Sequence, residues 1–335
     1  TRQVLQALQK ASADSLEDCI LECPAGLQAL VEVLRDPREE VRNEVILLLG
    51  QLTSSNLEVK KFVAFQEGFE RLFDIMASEG MLEGGCVIVK DCLDVCLNLL
   101  TGSSLTKSLF CQSNCLKRFH DLIDVRAAGG GGDAAAPTDD TAEGDNDVGI
   151  TAGGEPSSVS ERAFSGAEAT RMSPMQSEIA CKALDLLMLL LTIDTADSPQ
   201  EGDGKRVERQ SVVAATQEGM LSEMLAHVGF SRAEAFSHAP LPCREKAMRV
   251  TGAVVDGHPT NQYNMGELLV QDVGLDSVAL ATLVMEGALG AGGADPALNE
   301  TFHWVLGCFF HGNELVCTQV VSHVIAPPPP PLELE

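Results

Sequence analysis

The chain is short of basic residues, of aromatic rings and of long apolar runs, and each shortage removes a class of function. Lysine and arginine number 23 against 49 aspartate and glutamate, a net charge of −26. An acidic surface repels phosphate backbones and anionic lipid, so nucleic-acid binding and direct adsorption to membranes are disfavoured. Protein partners with basic patches are favoured instead. Aromatic residues make up 4%, with one Trp and one Tyr, whereas Leu, Ala and Val abound, as they do in helical proteins. No run of about 18 apolar residues occurs, so no membrane-spanning helix is expected. The longest candidate, Ala183 to Ile193, is too short and contains Asp185. The N-terminus shows no signal-peptide pattern, and a start at Thr1 rather than Met reads as a fragment or a processed chain.

Catalytic constellations are also missing. Cys111 and Cys115 with His120 form the nearest grouping to an activated thiol. Cys92-x3-Cys96 and Cys111-x3-Cys115 resemble a four-thiolate zinc site, but this spacing puts each pair one helical turn apart, whereas zinc knuckles use two intervening residues. The 11 cysteines, an odd number lying mainly within apolar helical patterns, read as buried free thiols of a reducing, cytoplasmic compartment. His303 and His311 flank an apolar helix and read as structural. The glycines at 129–132 and in GALGAGG (287–293) lack the strand and following residues of a phosphate or dinucleotide loop. No cofactor, metal or enzymatic activity is expected.

What is present is a recurring helical cycle. VRNEVILLLGQL, VIVKDCLDVCLNLL (87–100), CKALDLLMLLLTI (181–193), EKAMRVTGAVV (245–255) and FHWVLGCFF (302–310) are apolar on nearly every side, the mark of buried helices. A short helix follows the first, and QEG then opens the next cycle. The stretches VAFQEGFERLF (63–73) and VAATQEGMLSEML (213–225) write this corner twice. Read as left-handed helix caps, the corners are Gly26, Gly68, Asn114, Gly219 and Gly274, spaced by 42, 46, 105 and 55 residues. A period of about 42–47 is that of armadillo and HEAT units. The 105-residue interval holds an insertion, 127–174, with nine acidic and two basic residues and almost no large apolar side chain. It cannot bury enough apolar surface to offset ordering, so disorder is expected. The expected architecture is all-α: a right-handed armadillo/HEAT-like solenoid over 1–126 and 175–326, interrupted by the insertion and ending in a Pro-rich tail at 327–335.

Solenoids bind partners on the concave face, lined by the last helix of each unit. Aligned by helix ends, Gln51, Asn98, Leu189, Ala253 and Cys308 fall at one place. Gln51 and Asn98 are polar in apolar helices and need partners. They either bond a neighbouring turn or, with Asp91 and Asp94 nearby, contact a bound segment in the groove. The other three units lack a polar residue there, which departs from a peptide-binding ladder.

The blocks VRN, LTSSN and KKFVAFQEGFERLFDI, and the run GGCVIVKDCLDVCLNLL, resemble the general vesicular transport factor family over roughly residues 20–125. TQEGMLSEML, GHPTNQYNM and LGCFFHGN extend the likeness more weakly over 175–318. The resemblance implies an armadillo-like head of a non-catalytic vesicle tether acting between endoplasmic reticulum and Golgi and within the Golgi. It implies a cytoplasmic homodimer, peripheral on Golgi and vesicle membranes. Rab-type GTPases, golgins, SNARE proteins and other tethering complexes would be its partners. The family's further repeats, coiled coil and acidic tail are not in this sequence, which therefore reads as an interior part of the head. A different armadillo adaptor or scaffold is the alternative.

Overall fold

A computed structural model describes residues 24–126, 172–192, 214, 220–236, 238–273, 276–290, 295–314 and 317–318. The helices are α1 (Pro24–Val33), α2 (Glu39–Ser55), α3 (Leu57–Phe65), α4 (Gly68–Ser78), the one-turn α5 (Met81–Gly84), α6 (Val87–Leu100), α7 (Ser104–Gln112), the one-turn α8 (His120–Ile123), α9 (Pro174–Leu191), α10 (Met220–Phe230), α11 (Leu241–Val255), α12 (Pro259–Gly266), α13 (Leu280–Ala288) and α14 (Asn299–Phe310). They form a solenoid of repeating helical units. The long third helices stack in order, α2 on α6, α6 on α9, α9 on α11 and α11 on α14. The second helices make a parallel row: α4 packs on the turn at 114–118, α8 on α10, and α10 on α13. One continuous apolar core runs through all units.

Three described units start where a polar side chain satisfies orphan helix donors. Asn56 ends α2 and caps α3, its Oδ1 accepting from the amides of Glu58 and Val59 at 3.0 and 3.1 Å. Ser103 holds the same place before α7, accepting from Thr106, and His258 before α12. A single linking residue forces α3 to leave at an angle to α2, so the chain turns rather than extends. Lysine repeats as well. Buried Lys60 on α3 donates to the Thr101 carbonyl at the end of α6, 3.0 Å away, and desolvation lowers its pKa. Lys107 on α7 stands 47 residues on and is buried too.

The corner glycines differ from their expected conformation. The left-handed residue is Glu67, at φ 59° and ψ 31°, while Gly68 is the first residue of α4. Gly68 is needed for space: a Cβ there would lie 2.5 Å from the Val63 carbonyl oxygen. Gly26 lies inside α1, and Asn114 opens a 3-10 turn capped by Ser113. These positions mark helix starts, not helix ends. Gly219 and Gly274 lie outside the described residues, as do the Pro-rich tail and most of the insertion. The solenoid resumes before 175, because Met172 is buried and Ser173 forms a capping box with Gln176 ahead of Pro174.

A second departure is a small antiparallel hairpin between α12 and α13, where helix was expected. Strands β1 (Leu269–Gln271) and β2 (Ser277–Ala279) pair Val270 with Val278. Three residues per strand are too few for alternation to show in sequence. The hairpin is clamped to the end of α10. Ser231 donates its hydroxyl to the Gln271 carbonyl, and Arg232 binds Asp272 in two hydrogen bonds and also reaches Glu286 at 3.1 Å. Hydrogen bonding from Arg232 holds the Asp272 carboxyl below the usual Asp range. This depressed pKa contributes stability that is complete at neutral pH. It is lost as pH falls below ~4 through the folded value. Amide exchange at Val270 is therefore expected to speed up relative to α6 on acidification over that window. Arg232→Met should remove the difference.

Candidate docking surface

The stacked third helices set the geometry of one continuous surface. The place shared by Gln51, Asn98, Leu189, Ala253 and Cys308 also fixes the place one turn earlier: Leu47, Asp94, Asp185, Arg249 and Trp304. In the middle of the stack two of these residues bridge neighbouring units, while Arg249 pairs with Glu245 on its own helix. Asp94 on α6 pairs with Lys182 on α9, and Asp185 on α9 pairs with Lys246 on α11. In both pairs the acid sits three residues past the place that supplies the base in the next helix. At the two ends the same place is apolar and open, with Leu47 48% and Trp304 41% exposed.

The structure brings three of the four candidate groove residues into this network. Asp94 also faces Lys90 at 3.9 Å, and Asp91 lies 3.5 Å from the same ammonium. Burial raises the pKa of Asp91, with Lys90 opposing. Asn98 donates from Nδ2 to the Gly50 carbonyl of α2 at 3.0 Å, which supplies the partner that a polar residue in this helix requires. Gln51, the fourth, points to solvent one turn beyond Leu47. The middle of the stack is thus self-neutralised, and its first helix presents Leu47 and Gln51.

A second pattern was not found in the sequence. Arg71 on α4 donates to the Val31 carbonyl at 2.8 Å and to Glu32 at 2.9 Å. Arg118 repeats this one unit later, reaching the Phe73 carbonyl at 2.7 Å and Asp74 at 2.9 Å. The acceptors are 42 residues apart, the spacing of Gly26 and Gly68. Acid and base recurring at the repeat period was the signal that could have revealed these clamps. Arg71 is 6% exposed. Removing it leaves the Val31 carbonyl with only the 3.3 Å bond from the Leu34 amide and opens a cavity, so Arg71→Ala is expected to lower stability by about 2–3 kcal/mol in urea denaturation. Glu32→Gln should have little effect, because that carboxylate reaches solvent.

Of the thiols weighed as ligands or nucleophiles, three are enclosed and Cys111 is half-buried. Cys92, Cys96 and Cys115 are buried in the core. Burial raises the pKa of all three, to about 12 for Cys115, so the reactive thiolate is suppressed. Among the described residues no cluster of three or more His, Cys, Asp or Glu could hold a metal ion. No described helix is long and apolar enough to cross a membrane.

No family model matches the chain. Individual proteins do. Over 123 residues it is 37% identical to the human general vesicular transport factor p115, a match covering 37% of this chain and 13% of the human protein. It is 32% identical to the intracellular protein transport protein USO1 of Saccharomyces cerevisiae over 123 residues, 37% of this chain and 7% of the yeast protein. Golgin candidate 6 of Arabidopsis thaliana is 43% identical over 94 residues, 28% of this chain and 10% of the plant protein. The chain therefore matches only a small part of each relative's length, and over that part it is similar in sequence to p115 and USO1. The crystal structure of Uso1-2 superposes on 96% of this chain and 42% of its own, with TM-score 0.71 at 17% identity. A designed armadillo repeat protein in complex with the peptide (KR)4 gives TM-score 0.51 at 12% identity, covering 92% of this chain and 91% of its own. These likenesses show an armadillo-type helical solenoid.

Proposed function

We propose that this chain is the docking head of a non-catalytic vesicle tether in endoplasmic reticulum-to-Golgi and intra-Golgi transport. The observation that carries the reading is the 37% identity over 123 residues to human p115. The superposition on Uso1-2 over nearly the whole chain agrees with it in fold. The solenoid is a rigid platform, and a tether works by holding two membranes at once. One weak contact to a membrane-bound GTPase becomes effective once a second contact is made from the same assembly, because the second is then intramolecular. The acidic charge keeps the head off anionic lipid, so attachment to Golgi and vesicle membranes is peripheral and through proteins. Rab-type GTPases, golgins, SNARE proteins and other tethering complexes are the partners this role calls for, with the assembled protein a homodimer.

The test is capture of the protein on immobilised Golgi Rab-type GTPases loaded with GTP or GDP. Selective capture on the GTP form is expected, and equal capture on both forms counts against the reading. The docking face would include Leu47 and Gln51, with Asp91, Asp94 and Asn98 on the adjacent helix. Leu47→Glu should weaken capture at least about tenfold with the helical spectrum unchanged, since a buried apolar anchor contributes more than rim polar contacts.

A further inference from the structure

Cys181 on α9 and Cys243 on α11 meet across two consecutive third helices with their sulfurs 3.0 Å apart. A disulfide bond is about 2.05 Å long, so small torsions of two side chains would bring the sulfurs within bonding distance. The thiols are not equivalent. Cys181 is half-buried, whereas Cys243 is buried. The Cys243 thiol also lies 3.4 Å from the Ser177 carbonyl and 3.6 Å from its hydroxyl. The hydrogen bond from Cys243, with the Lys246 ammonium nearby, holds the Cys181 thiol below its usual pKa against the effect of burial. The same hydrogen bond and burial push Cys243 up. One sulfur is thus the accessible nucleophile, and the other is positioned to resolve it.

We propose that Cys181 and Cys243 are a peroxide-sensitive dithiol that closes reversibly into a disulfide between consecutive repeats. The Cys181 thiolate attacks one oxygen of hydrogen peroxide and the O–O bond breaks. Hydroxide leaves and takes a proton from solvent, and Cys181 becomes a sulfenic acid. The Cys243 sulfur then attacks the Cys181 sulfur, the S–O bond breaks, and the Cys243 proton leaves with the departing hydroxide as water. Two thiols and one peroxide give one disulfide and two waters, the sulfurs losing the two electrons the peroxide gains. Glutathione reverses the step by thiol–disulfide exchange. Units of a solenoid touch only their neighbours, so the staple fixes one such junction while leaving the others free.

The experiment exposes the folded full chain to sub-millimolar hydrogen peroxide, blocks remaining thiols and maps the cross-links by mass spectrometry without reduction. The peptides carrying Cys181 and Cys243 are expected joined, two hydrogens lighter than their sum. The Tm should rise by roughly 5 °C or more, and dithiothreitol should reverse both effects. In Cys243→Ser the reaction should stop at a Cys181 sulfenic acid that takes up dimedone. In Cys181→Ser, Cys243 should stay reduced. Recovery of both wild-type thiols fully alkylated after peroxide would overturn the proposal. Oxidation of Cys243 in Cys181→Ser at the wild-type rate would overturn it as well.

Discussion

Phe110→Ala is expected to lower stability by about 4 kcal/mol. The ring is fully buried on α7 and touches three others. It meets Phe69 edge-on at 4.9 Å and Phe119 edge-on at 6.0 Å, with Phe73 tilted at 6.0 Å. Phe69 and Phe73 belong to α4 of the preceding unit, so the ring joins two repeats rather than filling one. Truncation removes the transfer free energy of the ring, leaves a cavity and breaks aromatic pairs, with typical totals of ~3–5 kcal/mol. Phe110→Leu keeps much of the volume and should lose about 1.5 kcal/mol. Phe65→Ala, at an exposed site, should stay within ~0.5 kcal/mol. Hydrogen exchange read at α7 and α4 checks all three, and equal protection in Phe110→Ala and Phe65→Ala would refute the assignment.

The second large effect is at the corner between α3 and α4. Gly68→Ala would place a Cβ 2.5 Å from the Val63 carbonyl oxygen and 2.7 Å from Val63 Cγ1. The obstacle is helix backbone, so no rotamer change relieves it, and about 3 kcal/mol of stability should be lost. Glu67→Gly is the discriminating partner. Glu67 already carries the left-handed backbone, so glycine there trades relief of strain against unfolded-state entropy and should change stability by no more than ~1 kcal/mol. If the two variants behaved alike, conformation rather than space would be the reason for the glycine.

That corner also shows what sequence can and cannot convey. The five buried helices were legible because apolar residues on nearly every face have no other resting place. The unit length was legible because QEG recurs with them. The reason for Gly68 was not, since a glycine required by φ and one required by a close approach read the same until the neighbouring helix is placed. The hairpin was hidden because its three-residue strands are shorter than any alternation window and lie between two helices. In the candidate site, the polar character of Gln51 and Asn98 was visible. That Asn98 is spent on Gly50, and Asp94 on Lys182 88 residues away, depends on inter-unit register. So do the Arg71 and Arg118 clamps and the meeting of Cys181 with Cys243.

The described helices on the two sides of residues 127–171 meet directly. α8, which precedes them, packs on α9, which follows. Arg126 lies over the Phe236 ring at 5.7 Å on one side, and Gln176 reaches the Glu83 carbonyl on the other. With the rims joined to each other, the register of the stack at this junction is set by α8 and α9 themselves. That contact marks the interval between them as the place to graft a fluorescent reporter or an affinity epitope into this protein with the stack of third helices left in register.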